Sequence, residues 1–277
     1  MANVIEIDDY DLTQALEIVA AFGSDRYAYI VTPNVDHVIR HYYDAKFRAL
    51  YAQAAYVLLD SRFLANALRL LKRQIVRVCL GSDLTTSLMY KVIRPHDVIV
   101  LVGGTPAQAQ ELRAQFGLTE LHHVDPPMNF IADEAAVESC LRNIEAASPF
   151  RFCLLAVGSP QQEIIAHKLR ERGIARGLAL CVGAAVNYLT GVEKRAPQWM
   201  QSLGFEWLFR LIQDPKRMAK RYLVRGPIIF LLLGRIEFRL RCASVLPSGV
   251  TEENSSQPPA AIPTAPLTTS KVNNIAH

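Results

Sequence analysis

The stretch LVGGTPAQAQELRAQFG, residues 101–117, sets the fold class because it passes from an apolar run through two glycines into an amphipathic run. The stretch AVGSPQQEIIAHKLRERG, residues 156–173, repeats the same order of features. An apolar run that ends in Gly, Ser or Pro directly before a helical period is typical of a strand followed by a helix. Each stretch therefore predicts one strand-helix unit.

The same alternation of short apolar runs and longer amphipathic stretches extends along most of the chain. The runs with strand character are YAYIVTPN (27–34), AYVLLDS (55–61), IVRVCLGS (75–82), DVIVLVGG (97–104), ELHHVDPP (120–127), FRFCLLAVGSP (150–160) and GLALCVGAA (177–185). This order predicts an α/β protein with a Rossmann-like, largely parallel sheet flanked by helices. In open parallel sheets, ligands bind at the carboxyl ends of the strands.

The composition is that of a globular protein. The chain has 277 residues and 51% hydrophobic content, enough to bury one large core or two modest ones. The five cysteines form no CxxC pair, so neither a disulfide framework nor a zinc site is indicated. The first residues lack a signal-peptide pattern, and no segment has the roughly 18 apolar residues of a membrane span. We therefore expect a cytoplasmic protein.

Positive charge is concentrated towards the C-terminal end. The net charge is +4, and residues 194–241 hold eleven Lys and Arg against Glu206, Asp214 and Glu237. Such a block attracts polyanions, and the candidates are nucleic acid, anionic lipid head groups or a phosphorylated ligand.

The sequence divides into three parts. Residues 1–193 are predicted to form the α/β catalytic core, and residues 194–243 a basic, amphipathic helical appendage that associates with a membrane. Residues 244–277 are rich in Pro, Ser, Thr and Asn and are predicted to be a disordered tail. In the appendage, GPIIFLLLGRIEFRLR (226–241) has an apolar run too short to span a bilayer but suited to its interface. The alternative is an ordinary amphipathic helix that closes the core.

Polar residues follow two neighbouring strands at the edge where ligands are expected. Asp60 ends the run AYVLLD, and a carboxylate there can act as a general base, especially if burial raises its pKa. Its alternative role is to cap the helix that begins near Ser61 or Arg62. Thr32 and Asn34 bring uncharged hydrogen-bonding groups to the same edge.

Two glycine-containing turns are candidate phosphate sites. Gly103 and Gly104 follow VIVLV, where backbone N–H groups and a helix dipole could hold a phosphate, although the sequence is neither GxGxxG nor a P-loop. A purely structural turn is the favoured alternative. In Gly81-Ser82-Asp83, either Ser82 or Asp83 could instead cap the next helix.

Metal or cofactor chemistry has little support in the sequence. The pair Asp9 and Asp11 stands where a helix should begin, which explains both carboxylates. His122 and His123 have no further ligand at a metal-like spacing. We therefore expect no cofactor and a metal-independent protein.

Six motifs in order along roughly residues 20–230 resemble the WecG/TagA/CpsF glycosyltransferases, family twenty-six of the sequence-based classification. The motifs are TPNVDHVIRHYYDAKFRALYAQAAYVLLDS, GSDLT, LVGGTPAQAQE, VGSPQQE, CVGAAVNYLTGVEKRAP and GFEWLFRLIQDPKRMAKRYL. The resemblance implies an inverting transfer of a sugar from a UDP-sugar to a sugar linked through diphosphate to a polyprenyl lipid. It also implies a peripheral protein on the cytoplasmic face of the inner membrane.

The resemblance assigns roles to individual residues. It implies that Asp60 is the general base, and that an arginine-rich appendage reaches the active site and touches the membrane. The implied substrate-binding residues are Thr32, Asn34, Gln162, Arg210, Arg217 and Arg221. Gly81, Ser82, Asp83, Gly103, Gly104 and Glu163 complete the set of candidate substrate-binding residues. Ser61, Asn129 and Asn187 depart from the family pattern, which leaves the donor sugar open among glucose, N-acetylmannosamine and its uronic acid. The style of the motifs is closer to exopolysaccharide members.

Two other functions compete with this interpretation. The basic segment 194–241 could be the face of a module that binds anionic lipid or nucleic acid without catalysis, although no aromatic-basic stacking platform for nucleic acid is present. An NAD-dependent enzyme built on Gly103 and Gly104 lacks both GxGxxG and the ribose-binding acid. We expect no nucleic-acid partner, and a homo-oligomer could form when no membrane covers the apolar segment.

Overall fold

A computed structural model describes residues 3–219 and 226–241, without the side chains of Gln198, Ser202, Arg217 and Met218. The strands in these ranges are β1 Asn3–Asp8, β2 Tyr27–Val31, β3 Tyr56–Val57, β4 Ile99–Val102, β5 Leu121–Val124, β6 Phe152–Leu155, β7 Gly177–Cys181 and β8 Ile236–Arg241. The helices are α1 Leu12–Ala21, α2 Val35–Tyr43, α3 Ala45–Ala52, α4 Arg62–Lys72, α5 Gly81–Lys91, α6 Pro106–Phe116, α7 Glu134–Ala146, α8 Gln161–Arg172, α9 Ala185–Leu189, α10 Gln198–Ser202, α11 Glu206–Gln213, α12 Pro215–Ala219 and α13 Ile228–Leu233. The tail predicted over residues 244–277 lies outside the described residues.

The central sheet has six parallel strands in the order β3-β2-β7-β6-β4-β5. Successive residues of β4 point to opposite faces, so Val100 and Val102 enter one hydrophobic core while Ile99 and Leu101 enter the other. Helices α3, α7 and α8 cover the first face, and α1, α5, α6 and α9 cover the second. The predicted α/β class with a largely parallel sheet is confirmed.

Local capping explains where the helices of the two opening stretches begin and end. Thr105 caps α6 by accepting from the Gln108 N–H, and the Gln108 side chain accepts from the Thr105 N–H in return. Gly117 and Gly173 end α6 and α8 in the left-handed conformation. Asp11 caps α1 in the same reciprocal way, as the sequence suggested, whereas the Asp9 carboxylate accepts from the Arg77 N–H instead.

The strand expected over residues 75–82 is absent from the described structure. This segment is extended, but its backbone partners are divided between two places, so no ladder forms: the Arg77 N–H donates to the Asp9 carboxylate and the Cys79 N–H to the Leu59 carbonyl. Residues Gly81 and Ser82 already belong to α5.

A second, two-stranded sheet joins the beginning and the end of the described chain. Strand β8 pairs in parallel with β1, from Asn3 opposite Ile236 to Asp8 opposite Arg241. The sequence prediction of a helical appendage is therefore wrong over 236–241, where alternating buried Ile236 and Phe238 favour a strand. The buried Asp8 carboxylate accepts from the Val57 N–H at 2.7 Å and from Arg241 at 2.5 Å.

The aromatic stretch before this strand forms three short helices, α10, α11 and α12. Gly204 (φ +76°) separates the first two, and Pro215 begins the third. Trp199 and Leu203 are mostly exposed, and α11 contains no fully buried residue. Over the described ranges, no helix is long and apolar enough to cross a bilayer.

Candidate active site

Two cavities lie side by side at the carboxyl ends of β2, β3, β6 and β7. The larger, about 770 Å³, is lined by residues that follow these strands and by the start of the appendage, among them Thr32, Asn34, Asp60, Ser82, Ser159, Gln162, Gly183, Tyr188, Lys194 and Arg210. The smaller, about 340 Å³, has more apolar walls, among them Ile39, Phe63, Trp207, Pro227 and Phe230. The sheet edge predicted to bind ligands is thus where both cavities lie.

Asp60 lines both cavities, as do Asn34, Asp36 and Arg210. The capping alternative for Asp60 is wrong, because the Ser61 hydroxyl caps α4 by accepting from the Leu64 N–H at 3.1 Å. The Asp60 carboxylate instead accepts from the Gly81 N–H at 3.1 Å. One oxygen is therefore held by backbone while the side chain faces both cavities.

Burial raises the pKa of Asp60 to about 7. The positive charge of Arg210 and the hydrogen bond from Gly81 oppose this rise, whereas the nearby carboxylates of Glu206 and Asp83 add to it. A carboxylate whose pKa lies near the working pH can both accept and release a proton, which is the property required of a general base.

Thr32, Asn34 and Gly81 lie at the same edge of the sheet as Asp60, whose backbone N–H donates to the Pro33 carbonyl. The Thr32 hydroxyl donates to the Cys181 carbonyl at 3.0 Å, which ties the end of β2 to the end of β7. The Asn34 side chain caps α2 by accepting from the Asp36 N–H at 3.1 Å. A Cβ atom on Gly81 would lie 3.1 Å from the Thr32 hydroxyl, so a larger residue would crowd the site.

Gln162 lines the larger cavity, and Glu163 lies buried behind it. The Gln162 amide donates to the Glu163 carboxylate and accepts from the Gly183 N–H, both at 3.0 Å. These two bonds fix the orientation of the amide. Glu163 is fully buried, which raises its pKa, and it is not among the residues that line the two cavities.

Ser82 and Asp83 take different roles at the start of α5. Neither caps this helix, whose N-cap position is Leu80 without a side-chain bond, so the capping alternative is wrong. Ser82 lines the larger cavity. Asp83 forms an ion pair with Arg195 at 2.5 Å, which ties the appendage to the core, and a second one with Arg62 of α4 at 3.8 Å.

Comparison with known proteins decides the family. The Glycosyl transferase WecG/TagA/CpsF family model matches residues 2–243. The chain belongs to this family. It is therefore a glycosyltransferase of cell-surface polysaccharide synthesis. A solved structure of a selenomethionine-substituted domain of unknown function, DUF1792, is similar over 74% of this chain and 83% of its own, with 12% identity and a TM-score of 0.41.

Gly103 and Gly104 of this glycosyltransferase do not line either cavity. Gly103 (φ +86°) lies against the end of β6, where an added Cβ would meet the Val157 side chain at 2.8 Å and the Ala156 carbonyl at 3.1 Å. Next to Gly104, the Gln108 amide donates to both Asn187 and Thr190 at 3.0 Å. Protein side chains thus pack against this turn, and its predicted role in phosphate binding stays a prediction.

Of the three appendage arginines predicted to bind substrate, the structure describes the side chain of Arg210. The Arg210 guanidinium lies 5.5 Å from the centre of the Tyr188 ring, and Arg195 lies 5.6 Å from the same ring. Tyr188 thus holds two cations at the edge of the larger cavity. The side chain of Arg217 is not described, and Arg221 lies outside the described residues.

Sequence reasoning missed several lining residues of the glycosyltransferase. His37 and Ser159 line the larger cavity, Arg62 the smaller, and Tyr188 and Lys194 come from the motif CVGAAVNYLTGVEKRAP. Arg62 could have been found, since it stands two residues after Asp60. Across the described ranges, no group of three or more His, Cys, Asp or Glu side chains is arranged to hold a metal ion.

Proposed function

We propose that the protein transfers a sugar from a UDP-sugar to a sugar carried on polyprenyl diphosphate, with inversion at the anomeric carbon. The observation that carries this proposal is the position of Asp60 between a polar and an apolar cavity, with a pKa of about 7. Two substrates that meet at one base need such a junction.

We assign the larger cavity to the UDP-sugar and the smaller to the acceptor. Thr32, Gln162 and Lys194 give the larger cavity hydrogen-bonding groups and a cation suited to a nucleotide diphosphate. Phe63, Trp207 and Phe230 give the smaller cavity apolar walls suited to the first part of a prenyl chain. This assignment agrees with the sugar-nucleotide and lipid-linked substrates of the family in general.

The proposed reaction is a single displacement. Asp60 takes the proton of the acceptor hydroxyl while the hydroxyl oxygen attacks the anomeric carbon from the face opposite UDP. The bond between that carbon and the phosphate oxygen breaks, and its electron pair leaves with UDP. Arg210 and Lys194 line the cavity where the diphosphate charge grows, so they can stabilise it without a metal ion.

We further propose that the enzyme works at the cytoplasmic face of the inner membrane, with residues 194–243 supplying membrane contact. The donor remains one of glucose, N-acetylmannosamine or its uronic acid, and the product enters an exopolysaccharide or another surface polysaccharide. The protein could form a homo-oligomer off the membrane.

The test measures UDP release and product configuration in EDTA. A panel of UDP-sugars is combined with glucosyl- and N-acetylglucosaminyl-diphosphate-prenol acceptors, and the new linkage is assigned by NMR. We expect release with one donor, dependent on the acceptor, and an inverted linkage. Retained configuration would contradict the single displacement, and loss of activity in EDTA would contradict metal independence. No release with any donor, together with salt-sensitive binding to RNA or vesicles, would favour the basic binding module.

A further inference from the structure

Helix α4 exposes leucines at the end that points away from Asp60. Its buried face consists of Leu64, Ala67 and Leu68, and Leu71 continues this stripe at the next helical position. Leu71 is nevertheless 59% exposed, and Leu70 is 80% exposed. The apolar stripe therefore extends beyond the core that covers its first part.

Helix α13 packs against α4 and shows the same feature. Ile229, Leu232 and Leu233 are buried in the hydrophobic cluster that also contains the buried face of α4. Phe230 is 51% exposed and Leu231 is 75% exposed. The Phe230 ring packs edge-on against Phe63 at 5.8 Å, so the two helices that expose apolar side chains also form walls of the smaller cavity.

Along the sequence, positive charge predominates in the two segments that carry these side chains. Residues 61–82, which include α4, contain five Lys and Arg and no Asp or Glu. Residues 215–236, which include α13, contain six Lys and Arg and no Asp or Glu. Arg69 and Arg73 are exposed beside Leu70. Exposed leucines with exposed arginines beside them match an anionic lipid surface, where apolar chains enter the interface and cations meet phosphates.

We infer that the leucine face, defined as Leu70 and Leu71 of α4 with Phe230 and Leu231 of α13, binds the surface of an anionic membrane. Through Leu70 and Leu71, the catalytic core thereby contributes its own membrane contact, in addition to the appendage. The inference rests on the proposed function, because an acceptor held in lipid must enter the smaller cavity. Phe63 of α4 and Phe230 of α13 are walls of that cavity, so a membrane bound at these two helices would lie near the proposed acceptor site.

The test is binding of the full chain to vesicles, measured by co-sedimentation. Vesicles with roughly one-third phosphatidylglycerol are compared with pure phosphatidylcholine. We expect the double variant Leu70→Gln/Leu71→Gln to bind the anionic vesicles about tenfold more weakly, because two apolar side chains no longer enter the interface. The matched control is Met128→Gln/Ile174→Gln, which removes two exposed apolar side chains elsewhere and should bind as the natural chain does.

A second variant tests the charges. Arg69→Gln/Arg73→Gln should lose about tenfold in binding to anionic vesicles and almost nothing on pure phosphatidylcholine. Unchanged vesicle binding in both the leucine and the arginine double variant, each with an unaltered unfolding midpoint, would overturn the inference. A change from dimer to monomer in the leucine variant, with vesicle binding intact, would overturn it in favour of a second copy of the chain.

The two proposals fail differently. With a short, water-soluble acceptor, transfer should be equal in the natural chain and all three double variants, since none of the substituted residues contacts Asp60. Normal transfer together with unchanged vesicle binding in the leucine and arginine variants would contradict only the inference about the leucine face. Absence of transfer in the natural chain, with vesicle binding that still depends on Leu70 and Leu71, would contradict the proposed reaction. The inference that the leucine face binds anionic lipid would then still hold.

Discussion

The turns after β3 and β4 occupy equivalent positions in the fold but differ in what fills them. After β3, Ser61 caps the next helix, so the Asp60 carboxylate faces the two cavities. After β4, Thr105 caps the next helix, and the space in front of Gly103 is filled by Val157 and Ala156. The same strand-turn-helix pattern thus yields an open site in one place and a closed turn in the other.

This difference shows that the carboxyl end of a strand is only a candidate ligand site until the surrounding side chains are known. At Asp60, the surrounding elements leave space. At Gly104, the nearby side chain of Gln108 makes hydrogen bonds to Asn187 and Thr190, so its amide donor is already bound by protein groups. Function at such an edge is decided by which side chains the adjacent loops supply.

The largest expected effect is at the open turn. Asp60→Asn should lower kcat by roughly 100-fold or more, because an amide cannot take the acceptor proton. The amide oxygen can still accept from the Gly81 N–H, so binding of UDP should persist. Initial rates of UDP release and calorimetric UDP titration measure the two quantities. Turnover near that of the natural chain would exclude Asp60 as the base.

At the closed turn, Gly103→Ala should lower the free energy of unfolding by about 2–3 kcal/mol and leave KM for the donor unchanged. The reasons are its φ of +86° and the 2.8 Å approach of Val157 to the added methyl group. Gly117→Ala is the matched control, because Gly117 has φ +64° in open space and should lose only about 1 kcal/mol. Urea unfolding provides both values. A raised KM with unchanged stability would instead indicate a phosphate site.

The raised pKa of Asp60 should also lower the free energy of unfolding at high pH. Below the ordinary pKa of an aspartate, about 4, the folded and unfolded states are both protonated and Asp60 has no effect. Between there and the folded pKa of about 7, only the unfolded state ionises, so stability falls as pH rises. Asp60→Asn should therefore be more stable than the natural chain by about 1–3 kcal/mol at pH 8 and equal to it near pH 4. A difference that is the same at both pH values would contradict the raised pKa.

The smallest expected effect concerns the charge beside the open turn. kcat/KM should rise with pH up to about 7, as Asp60 loses its proton. Arg210 lowers the pKa of Asp60, so Arg210→Gln should shift the rise in kcat/KM to higher pH by about half a pH unit to one unit. The same variant should also lower the rate, because one cation that stabilises the departing UDP is lost. The variant Arg210→Lys keeps the charge and should restore the natural pH profile. A profile that does not move in Arg210→Gln would show that the titrating group is not Asp60.

Much of the core fold could be predicted, because its strands are adjacent to the helices that follow them. Strand β4 with α6 and strand β6 with α8 appear in the sequence as local patterns. The position of Asp60 followed from the rule that ligands bind at the carboxyl ends of the strands in open parallel sheets. The extended segment 75–82 was wrongly predicted as a strand, since its alternation is real but its hydrogen-bond partners are not those of a ladder.

The rest of the site depends on contacts between distant parts of the chain. Tyr188 is recognisable only once Arg195 and Arg210 are seen around its ring. The pairing of Asp83 with Arg195 joins residues 112 positions apart. The exposed end of α4 looks in the sequence like an ordinary amphipathic helix, and its uncovered leucines appear only when the limit of the core is known.

The pairing of β1 with β8 has a consequence for how the protein is made. Strand β1 is made long before β8 and must wait for it, because Asn3 pairs with Ile236. Until then, Ile5 and Ile7 are without the partners Ile236 and Phe238 that bury them in the finished protein. The six-stranded sheet can assemble during synthesis, whereas the small sheet can close only after residue 241 has emerged. Helix α13 directly precedes β8, so its packing against α4 also comes only after more than 150 further residues have followed α4.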